Sequence, residues 1–112
     1  MKPVNLYKRL TITPSSTDFV LVGSITIPAN SYFCITARGT YNNNICTGVA
    51  IATTDTTYKN ACALKTRDTD EYHVSCTYCK YTDSELTLYL WGKWEKASSN
   101  FIDVTGFYIP AL

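Results

Sequence analysis

Along most of the chain, apolar and polar side chains alternate with a period of two. Turn residues cut the alternation every ten or so positions. Residues 18–27 (DFVLVGSITI) form the first strong run, and Gly23 inside it predicts a bulge. Pro28-Ala29-Asn30 breaks that run, and 31–41 (SYFCITARGTY) resumes the alternation as a second strand. Residues 41–45 (YNNNI) read as a turn, because asparagine tolerates positive φ and bonds its own backbone. A third strand follows at 46–54 (CTGVAIATT), with Val49 and Ile51 on one face. Residues 54–60 (TDTTYKN) are polar and turn-like, and 61–65 (ACALK) make a short fourth strand. The most polar stretch, 66–70 (TRDTD), reads as an exposed loop. Beyond it, 71–81 set Tyr72, Val74, Cys76 and Tyr78 against His73, Ser75, Thr77 and Cys79. In 83–94, Leu86, Leu88 and Leu90 share a face, with Thr87, Tyr89 and Trp91 opposite. Residues 100–112 supply a closing strand. Near the start, 5–13 are a candidate for one more, so that 1–17 are either an arm or a lead-in strand.

One segment has a second reading. Residues 84–98 also fit a helix capped by Ser84, with Leu86, Leu90 and Trp94 at i, i+4 and i+8. Strict alternation and an interior Gly92 favour the strand. Seven to eight short strands with close turns predict an all-β, antiparallel sandwich or barrel in a single domain spanning 1–112. No helical pattern alternates with the strands, which excludes α/β layouts, and no repeat of the propeller or solenoid kind occurs.

Composition agrees with a folded domain: 46% of the 112 residues are hydrophobic and 17% charged. The net charge of +1, with the charges scattered, argues against a dedicated nucleic-acid binder, which needs a basic face matched to phosphates. No apolar run approaches the ~18 residues of a membrane helix, which argues against insertion. The amino end has basic residues but no apolar core of a secretory signal. The chain is then either not exported by that route or a piece of something longer.

Five cysteines leave at least one thiol free however the others pair. Cys34 and Cys76 fall inside strand-like runs, where a thiol packs as a small hydrophobe, and the expectation is reduced thiols made in a cytoplasm. Cys76-Thr-Tyr-Cys79 lacks the second ligand pair of a zinc site and the helix that a redox motif opens, so it reads as plain strand. The single histidine, His73, excludes a multi-histidine zinc site within one chain. Cys62 and His73 would complete a metal set with the Cys76/Cys79 pair only by an accident of folding. Three copies of His73 around a trimer axis are another way for it to meet a metal, and a half-buried strand histidine is the simpler expectation. No nucleophile elbow, P-loop or dinucleotide fingerprint occurs. Asp68, Asp70 and Glu71 lie close enough in sequence to suggest a carboxylate pair, but a solvated loop explains them. The expectation is therefore a protein without catalytic residues, metal or cofactor.

The aromatic residues say more. Tyr89, Trp91 and Trp94 are read as sharing the face opposite the leucines, which makes both faces of that strand apolar. Either a subunit interface or a sugar platform would cover it. The interface is preferred because interface cores favour Tyr and Trp.

ITIPANSYFCITARGTYNNN, then TGVAIATT, then LTLYLWGKWEKASSNFIDVTGFYIPAL together resemble the carboxy-terminal head domains of bacteriophage and prophage tail fibres and receptor-binding proteins. The positions that carry the likeness are Ile27–Asn30, Gly48–Ile51, Tyr89–Trp91, Ala97–Asn100 and Gly106–Tyr108, within 24–112. The resemblance implies a jelly-roll-like β-sandwich that forms a homotrimer at the distal end of a fibre. It implies a virion tail protein, assembled in the host cytoplasm, that binds a host-surface glycan or protein without catalysis. The alternative is a structural or assembly protein of a virion or tail that binds no receptor. The family carries no fixed binding residues, so candidates come from the loops, where recognition sits on a rigid scaffold. Tyr41 with Asn42, Asn43 and Asn44 pairs a ring with planar polar groups, and Arg67, Asp68 and Asp70 are the second choice.

Overall fold

A computed structural model of the chain describes residues 2–40 and 44–111. It contains eight strands and, among the described residues, no helix. They are β1 (Val4–Ile12), β2 (Val20–Ile27), β3 (Ser31–Thr40), β4 (Cys46–Ala52), β5 (Ala63–Thr66), β6 (His73–Thr82), β7 (Leu86–Trp94) and β8 (Asn100–Pro110). Two four-stranded antiparallel sheets, β1-β8-β3-β6 and β2-β7-β4-β5, face each other. β1 pairs with β8, β2 with β7, β3 with β6 and β4 with β5, so each pair of strand numbers sums to nine. The chain is in effect one long hairpin rolled up, and the β3·β8 and β4·β7 pairings close the roll. This is the jelly-roll sandwich. The connections alternate between its two ends. Loops β1–β2, β3–β4, β5–β6 and β7–β8 gather at one, here the loop end. The shorter β2–β3 and β6–β7 turns lie at the other, the turn end, with the β4–β5 loop, the start of β1 and the end of β8.

Period-two patterning explains the core. Ile27, Phe33, Ile35, Val49, Ile51, Val74, Leu88, Leu90, Ile102 and Val104 all point between the sheets and are almost fully buried. β7 is a central strand, which excludes the helical reading of its sequence. The bulge predicted at Gly23 is present: the β2·β7 register slips between Leu21 and Gly23. The Pro28-Ala29-Asn30 turn ends with Asn30 at φ 58°, a left-handed conformation that asparagine adopts more readily than most residues.

Two expectations are corrected here. Trp94 has the same parity as Leu86, Leu88 and Leu90, so it joins the core at 1% exposure instead of the outer face. Gly92 makes this possible, since a side chain there would collide with the Trp94 ring and come within 2.7 Å of Ile102 Cδ1. Cys34 does not pack inward as a small hydrophobe. It points outward from β3 and forms a disulfide with Cys79, its direct partner on β6. Cys76 is buried as expected, and burial pushes its thiol up to about 12 and that of Cys46 to about 11.

Candidate functional site

Of the ligand residues suggested by the sequence, Asn44, Arg67, Asp68 and Asp70 lie at the loop end. Tyr41, Asn42 and Asn43 lie outside the described residues. Asn44 is buried and its side chain is saturated. Its Nδ2 donates to the carbonyls of Lys96 (2.7 Å) and Ser98 (3.2 Å), and its Oδ1 accepts from the Lys96 amide (2.9 Å). The Asn44 carbonyl also accepts from Asn100 Nδ2 at 2.7 Å. Asn44 is thus a clasp between the β3–β4 and β7–β8 loops rather than a free ligand contact. Arg67 is likewise engaged with its own surroundings. Its Nε donates to the Glu71 carbonyl, its Nη2 to the Thr69 carbonyl at 2.9 Å, and its Nη1 stands 4.0 Å from Glu95. Of the described candidates, only the Asp68 and Asp70 side chains face solvent, Asp68 at 3.7 Å from Lys65. The fold does bring the two predicted loops to one end, where Arg67 N bonds Thr47 O and Glu95 N bonds Ile45 O.

The outer face of β2-β7-β4-β5 carries Trp91, and the chain covers it itself. Phe19, from the β1–β2 connection, stacks on Tyr58, from the β4–β5 loop, with ring centroids 4.3 Å apart. Tyr58 in turn lies 6.1 Å from Trp91. Ala50, Ala52 and Trp91 are buried beneath these rings, and half-buried Tyr89 packs beside them. Gly48 provides the clearance, since a Cβ there would sit 2.7 Å from Phe19 Cζ. The predicted subunit interface of Tyr89, Trp91 and Trp94 is therefore divided: one residue in the core, one under the chain's own loops, one at the margin of that cover. The indole side of β7 needs no second copy to shield it. The signal in the sequence was the run of Gly48, Ala50 and Ala52, small residues on an outer face that anticipate something packed closely upon it.

The opposite outer face, on β1-β8-β3-β6, is bare. The strand registers arrange its side chains in rows. The first runs Tyr81, Tyr32, Ile109, with the two tyrosine rings 4.8 Å apart. The second holds the Cys79–Cys34 disulfide, Phe107 and Asn5. Hydroxyls form the third, as Thr77, Thr36, Thr105 and Tyr7, and Thr36 bonds Thr77 at 2.8 Å. The fourth is charged: Ser75, Arg38, Asp103 and Arg9, with Arg9 forked onto Asp103 at 2.8 and 3.0 Å. Hydrogen bonding from Arg9 holds the Asp103 carboxyl below the usual carboxylate range. Tyr7 is 66% exposed and Tyr32 55%, so nothing in the described chain covers this face. His73 also lies on it, exposed at the start of β6 instead of half-buried.

Round the β6 edge from Tyr81, a notch of about 420 Å³ opens at the turn end beside Tyr78, Lys80, Asp83 and Leu86. Compared with known proteins, the chain matches no family model, no curated protein and no solved structure. The likeness to tail-fibre heads rests on the quoted motifs alone. What the bare face and the notch offer is rings, hydroxyls and fixed charges on a rigid sheet, an arrangement suited to non-covalent recognition.

Proposed function

We propose that this domain is a non-catalytic receptor-binding module, of the kind found at the head of a phage tail fibre, that docks a host-surface glycan or protein. The observation that carries this reading is the bare outer face of β1-β8-β3-β6. Tyr7, Tyr32, Tyr81 and Phe107 are large, exposed and adjacent there, and patches of that sort mark contact sites. Hydroxyl and charged rows beside the rings supply the orienting polar groups such a site needs. The Cys34–Cys79 disulfide suits the oxidising surroundings of a virion outside the cell, even for a protein assembled in host cytoplasm. Adsorption to host cells or to arrayed surface glycans tests the reading. Tyr32→Ser and Phe107→Ser should abolish it while the fold stays intact. Adsorption unchanged in both would reject this face.

A second reading is favoured by the apolar character of the Tyr81–Tyr32–Ile109 row: a structural tail or virion subunit whose bare face packs on copies of itself, as a homotrimer. Mass measurement in solution separates the two. A trimer that dissociates on Phe107→Ser, with no host adsorption, selects the structural role.

A further inference from the structure

We infer that the notch at the β6–β7 turn binds one uncharged pyranose unit, and this rests on the receptor-binding reading above. The notch exists because β6 runs past the strand it packs against. Its inward positions are Val74, Cys76, Tyr78 and Lys80. The first two are buried, Tyr78 is half-buried and Lys80 is exposed. β4, in the facing sheet, ends at Ala52, and the chain leaves the layer at Thr53. The space left between the two layers is about 420 Å³, within the range of roughly 300–1,000 Å³ typical of small-molecule sites.

Its walls are of two kinds. Tyr78 is held edge-on to Phe33, with centroids 5.4 Å apart at 72°, and with Leu86 it makes a fixed apolar side. Lys80, Asp83 and Ser84 supply the polar side, and the Thr82 hydroxyl fixes the turn by donating to the Ser84 carbonyl at 2.6 Å. Lys80 and Asp83 have no ion-pair partner among the described residues, not even each other. One ammonium-bearing and one carboxylate-bearing residue thus border one apolar surface, neither paired with a described residue.

The occupant follows from that chemistry. A purely apolar ligand would strip water from Lys80 and Asp83 and return nothing. A phosphate or other anion would meet the Asp83 carboxylate. A pyranose has an apolar C–H face for Tyr78 and Leu86. Its neighbouring hydroxyls donate to Asp83, and its oxygens accept from Lys80. Tyr81 borders the notch and also pairs with Tyr32, so a longer saccharide would continue from the notch onto the bare face.

The test is a titration of the isotope-labelled chain, followed by amide chemical shifts, with the methyl glycosides of glucose, galactose, mannose and N-acetylglucosamine. Glucuronate and inorganic phosphate are the charged comparators. At least one neutral glycoside should shift the amides of 78–86, and Asp83→Asn, an exposed and fold-neutral change, should weaken it roughly tenfold or more. No shift there with any neutral glycoside, or tighter binding of glucuronate or phosphate, overturns the assignment. Host adsorption of the same variants separates this inference from the broader reading. Adsorption without shifts in 78–86 rejects the notch and keeps the module. Shifts without adsorption to any strain keep the notch and reject the module.

Discussion

Both outer faces of this sandwich carry large rings, yet they have opposite fates. On β2-β7-β4-β5, Trp91 is 8% exposed because Phe19 and Tyr58 fold over it. On β1-β8-β3-β6, Tyr7 and Tyr32 stand in solvent. The difference lies in what the chain has to spare. β4 presents Gly48, Ala50 and Ala52 outward, and the long β1–β2 and β4–β5 connections each deliver one ring into the space those small residues leave. The opposite face has side chains at every outward position, and no connection among the described residues crosses it. Aromatic content therefore does not identify a contact surface. Aromatic content that the chain leaves uncovered is the better guide to one.

Substitutions at several depths separate the covered face from the bare one. Trp94→Ala sets the scale, since truncating a fully buried tryptophan should cost ~3–5 kcal/mol in a denaturant titration. Removing the Asn44 clasp with Asn44→Ala strands buried backbone partners and should cost ~1–3 kcal/mol. Tyr58→Ala uncovers Trp91 and should cost ~1–2 kcal/mol. Its specific signature is a red shift of tryptophan emission, which the Tyr32→Ser and Phe107→Ser variants of the bare face should not show. Those two should stay within ~0.5 kcal/mol of the parent. A large stability loss in either would mean that the face called bare is in fact packed.

Thiol labelling sharpens the picture without mutation. The native chain should label once, at exposed Cys62, because Cys46 and Cys76 are buried and their thiols are pushed up to about 11 and about 12. Three labels are expected after unfolding without reductant, and five after reduction. The smallest effect belongs to Asp103. Its carboxyl is held low in the folded state by Arg9, so its contribution is present above the ordinary carboxylate value of about 3.9 and lost as pH falls through the lower folded value. Arg9→Gln should flatten that acid limb slightly in melts taken between roughly pH 5 and pH 2.

The strands were legible because each has one face toward a shared core, so period two is written into Phe33-Ile35-Ala37 and Leu86-Leu88-Leu90 alike. Trp94 shares the parity of Leu86, Leu88 and Leu90, so its inward position is written in the alternation, and its likeness to Trp91 as an indole says nothing about which face it takes. The cover over Trp91 was hidden. Tyr58 sits in a polar, turn-like stretch, and its contact to Trp91 spans sequence-distant segments that no local pattern links. Asn44 and Arg67 looked like binding residues since surface asparagine and arginine do bind ligands. Their partners at Lys96, Ser98 and Glu95 appear only once the roll brings four loops to one end. The notch was invisible for the same reason, as it depends on where β4 stops relative to β6.

The pairing of first strand with last has a mechanical outcome. Val4 lies opposite Tyr108, so β1 begins and β8 ends side by side at the turn end. Tension applied between those ends peels β1 from β8 one hydrogen bond at a time, the way a zipper opens, and resists little. Tension between one terminus and something gripped by the exposed sheet surface runs along the strands instead, where many bonds must give way together. A domain strung between its own termini would be fragile, whereas the same domain hung from one end and pulled through its flat side would hold.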